Sequence, residues 1–276
     1  RERAGLLLQI VPTLSDIELG PNVSYTGRTR TLRGTGFAEG ASTVSLGAMQ
    51  IADTSRSTGV DVYYASGSDN TGLNFTVPDG APTGPIRVTT VGGTSTTFNV
   101  SLSGITATAA SGTSANGAVA SANPGQAITI EGSGLDVSTE LIFETLGSGS
   151  TDSRGQLAVR PSTVNAAGTQ AQVLVPLNAV SGVVRMVGDT TASAIPLQIV
   201  PVVTGVEVNS VAYDGSSATL TLSGYGFIEG NNTEYRLGTE TVTDGSNSAG
   251  PDVGDPYDYS ANVYRLNGSV YLTVAL

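Results

Sequence analysis

The chain contains no cysteine, histidine, tryptophan or lysine; all 12 of its basic residues are arginine. Each absence removes chemistry. Without His or Cys there is no His-based catalytic triad, no thiol nucleophile and no ordinary zinc or haem site. Without Lys there is no Schiff base, no P-loop lysine and no Lys–Asn isopeptide cross-link. Carboxylate-pair catalysis and oxygen-only metal binding survive this filter. No sequence feature points to two carboxylates roughly 5–9 Å apart in a deep pocket. The expectation is a protein that is not an enzyme and needs no cofactor. The missing cysteine does not decide the redox compartment, because many exported proteins avoid it. No run of about 18 apolar residues is present, so no membrane span is encoded. No signal peptide or initiator Met is visible, so the sequence reads as mature or excised. A net charge of −11 argues against nucleic acid as a partner.

What the chain has in abundance is small residues: 36 Gly, 35 Thr and 30 Ser among 276 positions. It also repeats. Residues 32–40 read Leu-Arg-Gly-Thr-Gly-Phe-Ala-Glu-Gly, and residues 222–230 read Leu-Ser-Gly-Tyr-Gly-Phe-Ile-Glu-Gly. A weaker copy, Ile-Glu-Gly-Ser-Gly-Leu-Asp, spans 130–136. The second glycines, Gly36, Gly134 and Gly226, lie 98 and 92 residues apart. A Val-Pro pair follows at a constant distance: Gly36 to Pro78 and Gly134 to Pro176 are both 42 residues. Three tandem units are the economical reading. Within them Ile86-Arg-Val88-Thr-Thr90 and Thr97-Phe98-Asn-Val100-Ser-Leu102 alternate with period two around a Gly92-Gly93 turn. Ala127-Ile128-Thr-Ile130 and Ala218-Thr-Leu220-Thr-Leu222 alternate likewise. No helical periodicity is sustained. The fold class is all-β: three tandem β-sandwiches, the third lacking its final strands within the sequence.

The motifs resemble the IPT/TIG immunoglobulin-like domain of the E-set group. The fullest match runs from Pro12 to Val100: Gly34-Thr-Gly36-Phe37, Val77-Pro78-Asp-Gly80, Gly84-Pro-Ile86-Arg-Val88 and Gly92-Gly93-Thr94-Ser95. The third unit keeps Gly224-Tyr-Gly226-Phe227, and the second substitutes Leu135 for the aromatic. These are turn glycines and core positions, so they speak to fold more than to function. The resemblance implies the stalk of a bacterial surface or secreted protein, extracellular or at the cell surface, with surface polysaccharide as a partner class. The expected organisation is an N-terminal strand at 1–11, domains at 12–102 and 103–200, and an incomplete domain at 201–276.

Leu-Gln-Ile-Val-Pro occurs twice, at 8–12 and at 197–201. The second copy closes the second unit, so the first resembles a final strand with no domain before it. Leu6, Leu8 and Ile10 would share one face, with Leu7 and Gln9 on the other and Val11 completing the strand. At the other end, Ser269–Leu276 falls near the fifth or sixth strand of its unit, and no closing strand follows. Two readings result. In the first, residues 4–11 of one copy, through Leu6–Val11, fill the open third domain of the next, against Phe227, Tyr264, Val270, Leu272, Val274 and Leu276. Such a heterologous contact does not close, so it builds a head-to-tail homopolymer, an extracellular filament. In the second, the sequence is a stalk segment excised from a large multi-domain adhesin or carbohydrate-associated surface protein. Charge falls from −1 over 1–101 to −3 over 102–200 and −7 over 201–276, which weakly favours end-to-end complementarity.

Asp244, Asp252, Asp255 and Asp258 cluster in an insertion at 244–258 that could hold Ca²⁺, although its spacing matches no EF-hand. A solvated acidic loop is the simpler reading. Seven of ten tyrosines, including Tyr257 and Tyr259, lie in the third unit, where interface and ordinary strand roles weigh equally. Five Asn-x-Ser/Thr sequons are close to chance in so Ser/Thr-rich a chain. Asn267-Gly268-Ser269 reads as a hairpin turn, and Arg28, Arg30 and Arg33 read as a solvated strand face.

Overall fold

The computed structural model describes residues 8–18, 24–53, 60–65, 68–146, 154–213, 215–227, 233–244, 252–253 and 268–275. Every regular element in them is a β-strand. Among the described residues no helix is long and apolar enough to cross a membrane. The Thr- and Val-rich alternation of the sequence suits half-buried pleated surfaces, and the strands fall into three sandwiches.

The first sandwich contains β1 (Thr13–Glu18), β2 (Thr29–Thr35), β3 (Thr43–Leu46), β4 (Met49–Ala52), β5 (Val60–Ala65), β6 (Ser68–Thr76), β7 (Ile86–Thr90) and β8 (Gly93–Thr94). One sheet runs β1-β2-β6-β5 and the other β4-β3-β7-β8. Leu32, Leu46, Phe75, Ile86 and Val88 fill the space between them. The second sandwich contains β9 (Ser101–Thr106), β10 (Ser121–Ala122), β11 (Ala127–Ser133), β12 (Leu141–Leu146), β13 (Arg154–Val159), β14 (Thr163–Val164), β15 (Gln170–Leu174), β16 (Gly182–Met186) and β17 (Ile195–Ile199). Its sheets are β14-β15-β11-β9 and β10-β17-β16-β12-β13. The short β10 pairs in parallel with β17, which closes that edge. β2 and β11 show the same burial pattern residue for residue, so the repeat seen in sequence is a repeat in structure.

The third sandwich contains β18 (Val202–Val211), β19 (Ser217–Tyr225), β20 (Thr233–Leu237), β21 (Glu240–Asp244), β22 (Asp252–Val253) and β23 (Gly268–Ala275). One sheet, β18-β19-β23-β22, is the counterpart of β1-β2-β6-β5. The other is β20-β21 alone. β23 pairs with β19 as β6 pairs with β2, so β23 holds the β6 position. Among the described residues no strand holds the β7 and β8 positions.

The shared Gly-x-Gly has a physical cause. A Cβ on Gly34, Gly132 or Gly224 would fall on a backbone carbonyl of the neighbouring first strand: Thr13, Ser101 or Val202 respectively. The second glycines adopt φ of +76°, +66° and +78°, where an L side chain is strained. The motif is a bend that presses one strand onto another, repeated in all three sandwiches.

Three expectations need correction. Arg30 does not join a solvated face. It is 2% exposed, shares the inward parity of Leu32, and donates from Nη2 to the Ser24 and Tyr25 carbonyls at 2.6 and 3.1 Å. Its guanidinium satisfies loop carbonyls that the sheets cannot reach. Arg33 does face outward and pairs with Glu18 at 2.7 Å. Residues 97–102 do not form one strand: 95–100 lies outside the sheets, Phe98 packs on the first core, and Leu102 sits in the second core on β9. Gly268 and Ser269 are not a turn but strand residues opposite Gly224 and Ser223.

Candidate interaction surfaces

The sequence-expected donor segment is described from Leu8 onward; Leu6 and Leu7 lie outside the described residues. Leu8 is 85% exposed, and Gln9, Ile10 and Val11 are exposed as well. The segment is not in a strand, although its five residues equal those of 197–201. The difference lies in the partners. Leu197 and Val200 are buried because β16 and β10 flank β17, and the Gln198 amide exchanges hydrogen bonds with the Asn116 backbone at 2.9 and 2.6 Å. Residues 8–12 have no such flank. They instead lie on the bend of the first sandwich: a Cβ on Gly36 would meet Pro12 and Ile10, and one on Gly92 would strike the Ile10 carbonyl.

This seating recurs at each unit. Asn99 and Val100 cover Gly134, and Pro201 with Pro124 covers Gly226. Each sandwich thus rests its Gly-x-Gly bend on the segment that enters it.

The expected acceptor is an open cleft. Phe227 is buried and its ring meets Tyr235 in a tilted contact, with centroids 6.5 Å apart. Beside them lies an apolar cavity of about 620 Å³ lined by Ile199, Pro201, Val203, Leu222 and Phe227, among others. The edge of β20 that β7 would occupy in the first sandwich carries no strand among the described residues. Val270, Leu272 and Val274 belong to β23, in register with Leu222, Leu220 and Ala218. Tyr264 and Leu276 lie outside the described residues. The strand that carries Leu-Gln-Ile in the second sandwich does not lie directly beside the counterpart of β20. In the second sandwich β17 pairs with β16 and β10, and it is β16 that pairs with β12.

Of the candidate calcium ligands, Asp244 ends β21 opposite Thr233, and Asp252 starts β22 opposite Tyr271. Asp255 and Asp258 lie outside the described residues, as do Tyr257 and Tyr259. Among the described residues no three carboxylates gather at a metal site.

Sequence reasoning gave no sign of the joint between the first two sandwiches. The first hydrophobic cluster includes Ile142, Ala158 and Val187, all from the second sandwich. Backbone bonds cross the joint: Tyr25 N–H donates to Gln156 O at 3.3 Å and Gly188 N–H to Thr83 O at 2.8 Å. Ser24 and Leu157 form an antiparallel bridge. A Cβ on Gly84 would come within 2.7–3.0 Å of the Asp189 and Gly188 backbone. Flanking the apolar patch, Glu140 pairs with Arg160 at 3.0 Å and Glu144 with Arg185 at 2.7 Å.

No family model matches the chain, and no curated protein does. Among solved structures, one described as a complex with xylogluco-oligosaccharide is 16% identical, with a TM-score of 0.23. It is matched over 95% of this chain, which spans 54% of that structure's length. SGBP-B from a complex xyloglucan utilization locus in Bacteroides uniformis is 10% identical, with a TM-score of 0.25 over 96% of this chain and 86% of that one. The FN1–FN3 domains of chicken CNTN1 are 10% identical, with a TM-score of 0.15 over 96% and 87%. Likeness this faint bears on no individual residue of the chain.

Proposed function

We propose that the chain is a spacer: a segment of a tandem Ig-like stalk, of IPT/TIG type, in a bacterial surface or secreted protein of the adhesin or carbohydrate-associated kind. It performs no catalysis in this reading. The observation that carries it is the common seating of Ile10–Pro12, Asn99–Val100 and Pro201 on the three Gly-x-Gly bends. Each unit takes its position from the segment that enters it. With β17 ending at Ile199 and β18 starting at Val202, almost no slack separates the second and third units, and the longer segment 95–100 between the first two is taken up by Phe98, which packs on the first core. Short linkers that double as packing elements suit a part whose task is to set distance.

A second reading is favoured by one feature, the pairing of exposed Leu8, Ile10 and Val11 with an apolar cleft in the third sandwich. There the chain polymerises head to tail through strand addition. The two readings separate by negative-stain electron microscopy and sedimentation of the full chain beside a version lacking residues 1–11. The spacer reading expects elongated monomers from both. Fibres from the full chain alone would overturn it and establish the filament.

A further inference from the structure

β12 carries two sets of side chains. Leu141 and Phe143 are buried in the second core, while Ile142 between them is buried in the first cluster. Glu140 and Glu144 have the parity of Ile142, so they belong to the face that meets the first sandwich. Glu140 is therefore a carboxylate set into an apolar joint, and its side chain is only 2% exposed. Oε1 accepts from Arg160 Nε and Nη2 at 3.2 and 3.0 Å, whereas Oε2 is buried with no hydrogen-bond partner. From the first sandwich comes Arg30, whose Nε is likewise buried without a partner and whose charge acts on Glu140. No hydrogen bond joins Arg30 to Glu140, so the buried Oε2 is a poor permanent fastener when charged, since its desolvation is not offset by a hydrogen bond.

We propose that this joint responds to pH: a proton on Glu140 keeps the first two sandwiches docked, and loss of that proton loosens them. The surrounding groups are consistent with a single switch. Arg160, just past β13, and Arg30, on β2, both favour the charged form; Arg28 adjoins Arg30 electrostatically. Tyr25 donates its hydroxyl to Pro82 O at 2.8 Å, and burial pushes its pKa up. Glu144 is occupied by Arg185 and shares a polar crevice with Asp79. Burial outweighs both arginines at Glu140 and pushes its carboxyl up to about 7 from 4.5. When the sandwiches part, water reaches the carboxyl and the shift relaxes. The docked form thus holds the proton more tightly, and the docking constant falls as pH rises from about 4.5 to 7, by roughly 300-fold at most.

The test uses the full chain. It has no cysteine, so Val91→Cys and Leu174→Cys place spin labels at two exposed sites, one on each sandwich. Pulsed electron resonance should give a narrow distance distribution at pH 5.5 that broadens by pH 8.5, with its midpoint near 7. Glu140→Gln, a neutral mimic of the protonated acid, should stay narrow at both. An unchanged distribution in the parent, or a Gln variant that still broadens, overturns the proposal. If circular dichroism shows Glu140→Gln unfolded, the parent titration decides alone: a midpoint near 7 upholds the switch and its absence overturns it.

Discussion

The chain has two joints, and they are built differently. Between the first and second sandwiches lies a shared core: Ile142, Ala158 and Val187 are buried with Tyr25 and its neighbours, and backbone hydrogen bonds cross on both sides. Between the second and third, the contacts among the described residues lie at the linker and its edges. Asn123 Nδ2 holds the Val200 carbonyl at 2.9 Å, Val200 packs on Gly112, and Pro124 touches Gly226. The third cluster contains no residue of the second sandwich. The first joint has the longer linker, residues 95–100 against 200–201, and yet shares the larger core, so linker length does not set the extent of contact in a tandem array. What sets it is whether the outer face of one sheet carries apolar residues for the next unit to cover.

The largest effect that can break this contrast is Ile142→Ala. Ile142 is fully buried at the first joint, so truncation should cost about 2–5 kcal/mol and lower the melting of both adjoining sandwiches together. Calorimetry that shows the first sandwich unaffected would reduce the joint to a touch. Gly84→Ala comes next. The added methyl meets backbone, not a side chain that can swing away, and should cost about 1–3 kcal/mol while shifting the Val91–Leu174 label distance.

The pH dependence of stability sharpens the same point. Between pH 4.5 and about 7 the unfolded chain has released the Glu140 proton while the folded chain retains it. Stability from this group is therefore complete below 4.5 and is lost as pH rises through 7, by up to about 3 kcal/mol. Two other carboxyls act in the opposite sense. Glu18 is held below the usual range by its hydrogen bond to Arg33. At Asp136 burial opposes ionisation, but the Ser138 and Thr139 donors together outweigh it. Their contributions fade only as pH falls through their own lowered values. The urea midpoint should accordingly be higher at pH 5.5 than at pH 8, and Glu140→Gln should erase the difference. A parent midpoint that rises with pH over this window would contradict the assignment.

How far the sequence reveals this depends on whether a feature is local. The Gly-x-Gly bends and the β7 strand are legible because turn glycines and two-residue alternation are written in adjacent residues, whereas the partner expected for β7 at Thr97–Leu102 is replaced by Gly93–Thr94. Arg30 is not, since alternation alone cannot say which parity is inward when Arg30 and Leu32 share it. The repeated Leu-Gln-Ile-Val-Pro shows the limit most directly. The same residues end a largely covered strand at 197–199 and form an exposed, unpaired segment at 8–11, because pairing needs neighbours that the pentapeptide does not contain. The Glu140 cluster is invisible for the same reason: Arg30 and Glu140 are 110 residues apart in sequence, and the charge of one acts on the other only across the joint of two sandwiches.

The smallest effect completes the comparison. Pro124→Ala trims a side chain that reaches from the body of the second sandwich to the Gly226 bend. If the second joint is held by its linker and not by its surfaces, this change should alter stability by no more than about 0.5 kcal/mol. It should also leave the distance distribution between labels at Leu174→Cys and Val211→Cys as broad as in the parent, and broader than the Val91–Leu174 pair at pH 5.5. Both label sites are exposed, so their spread reports the joint and not local packing. A narrow parent distribution that Pro124→Ala broadens would show the opposite: a second joint fastened by a single proline, as stiff as the first despite sharing no core.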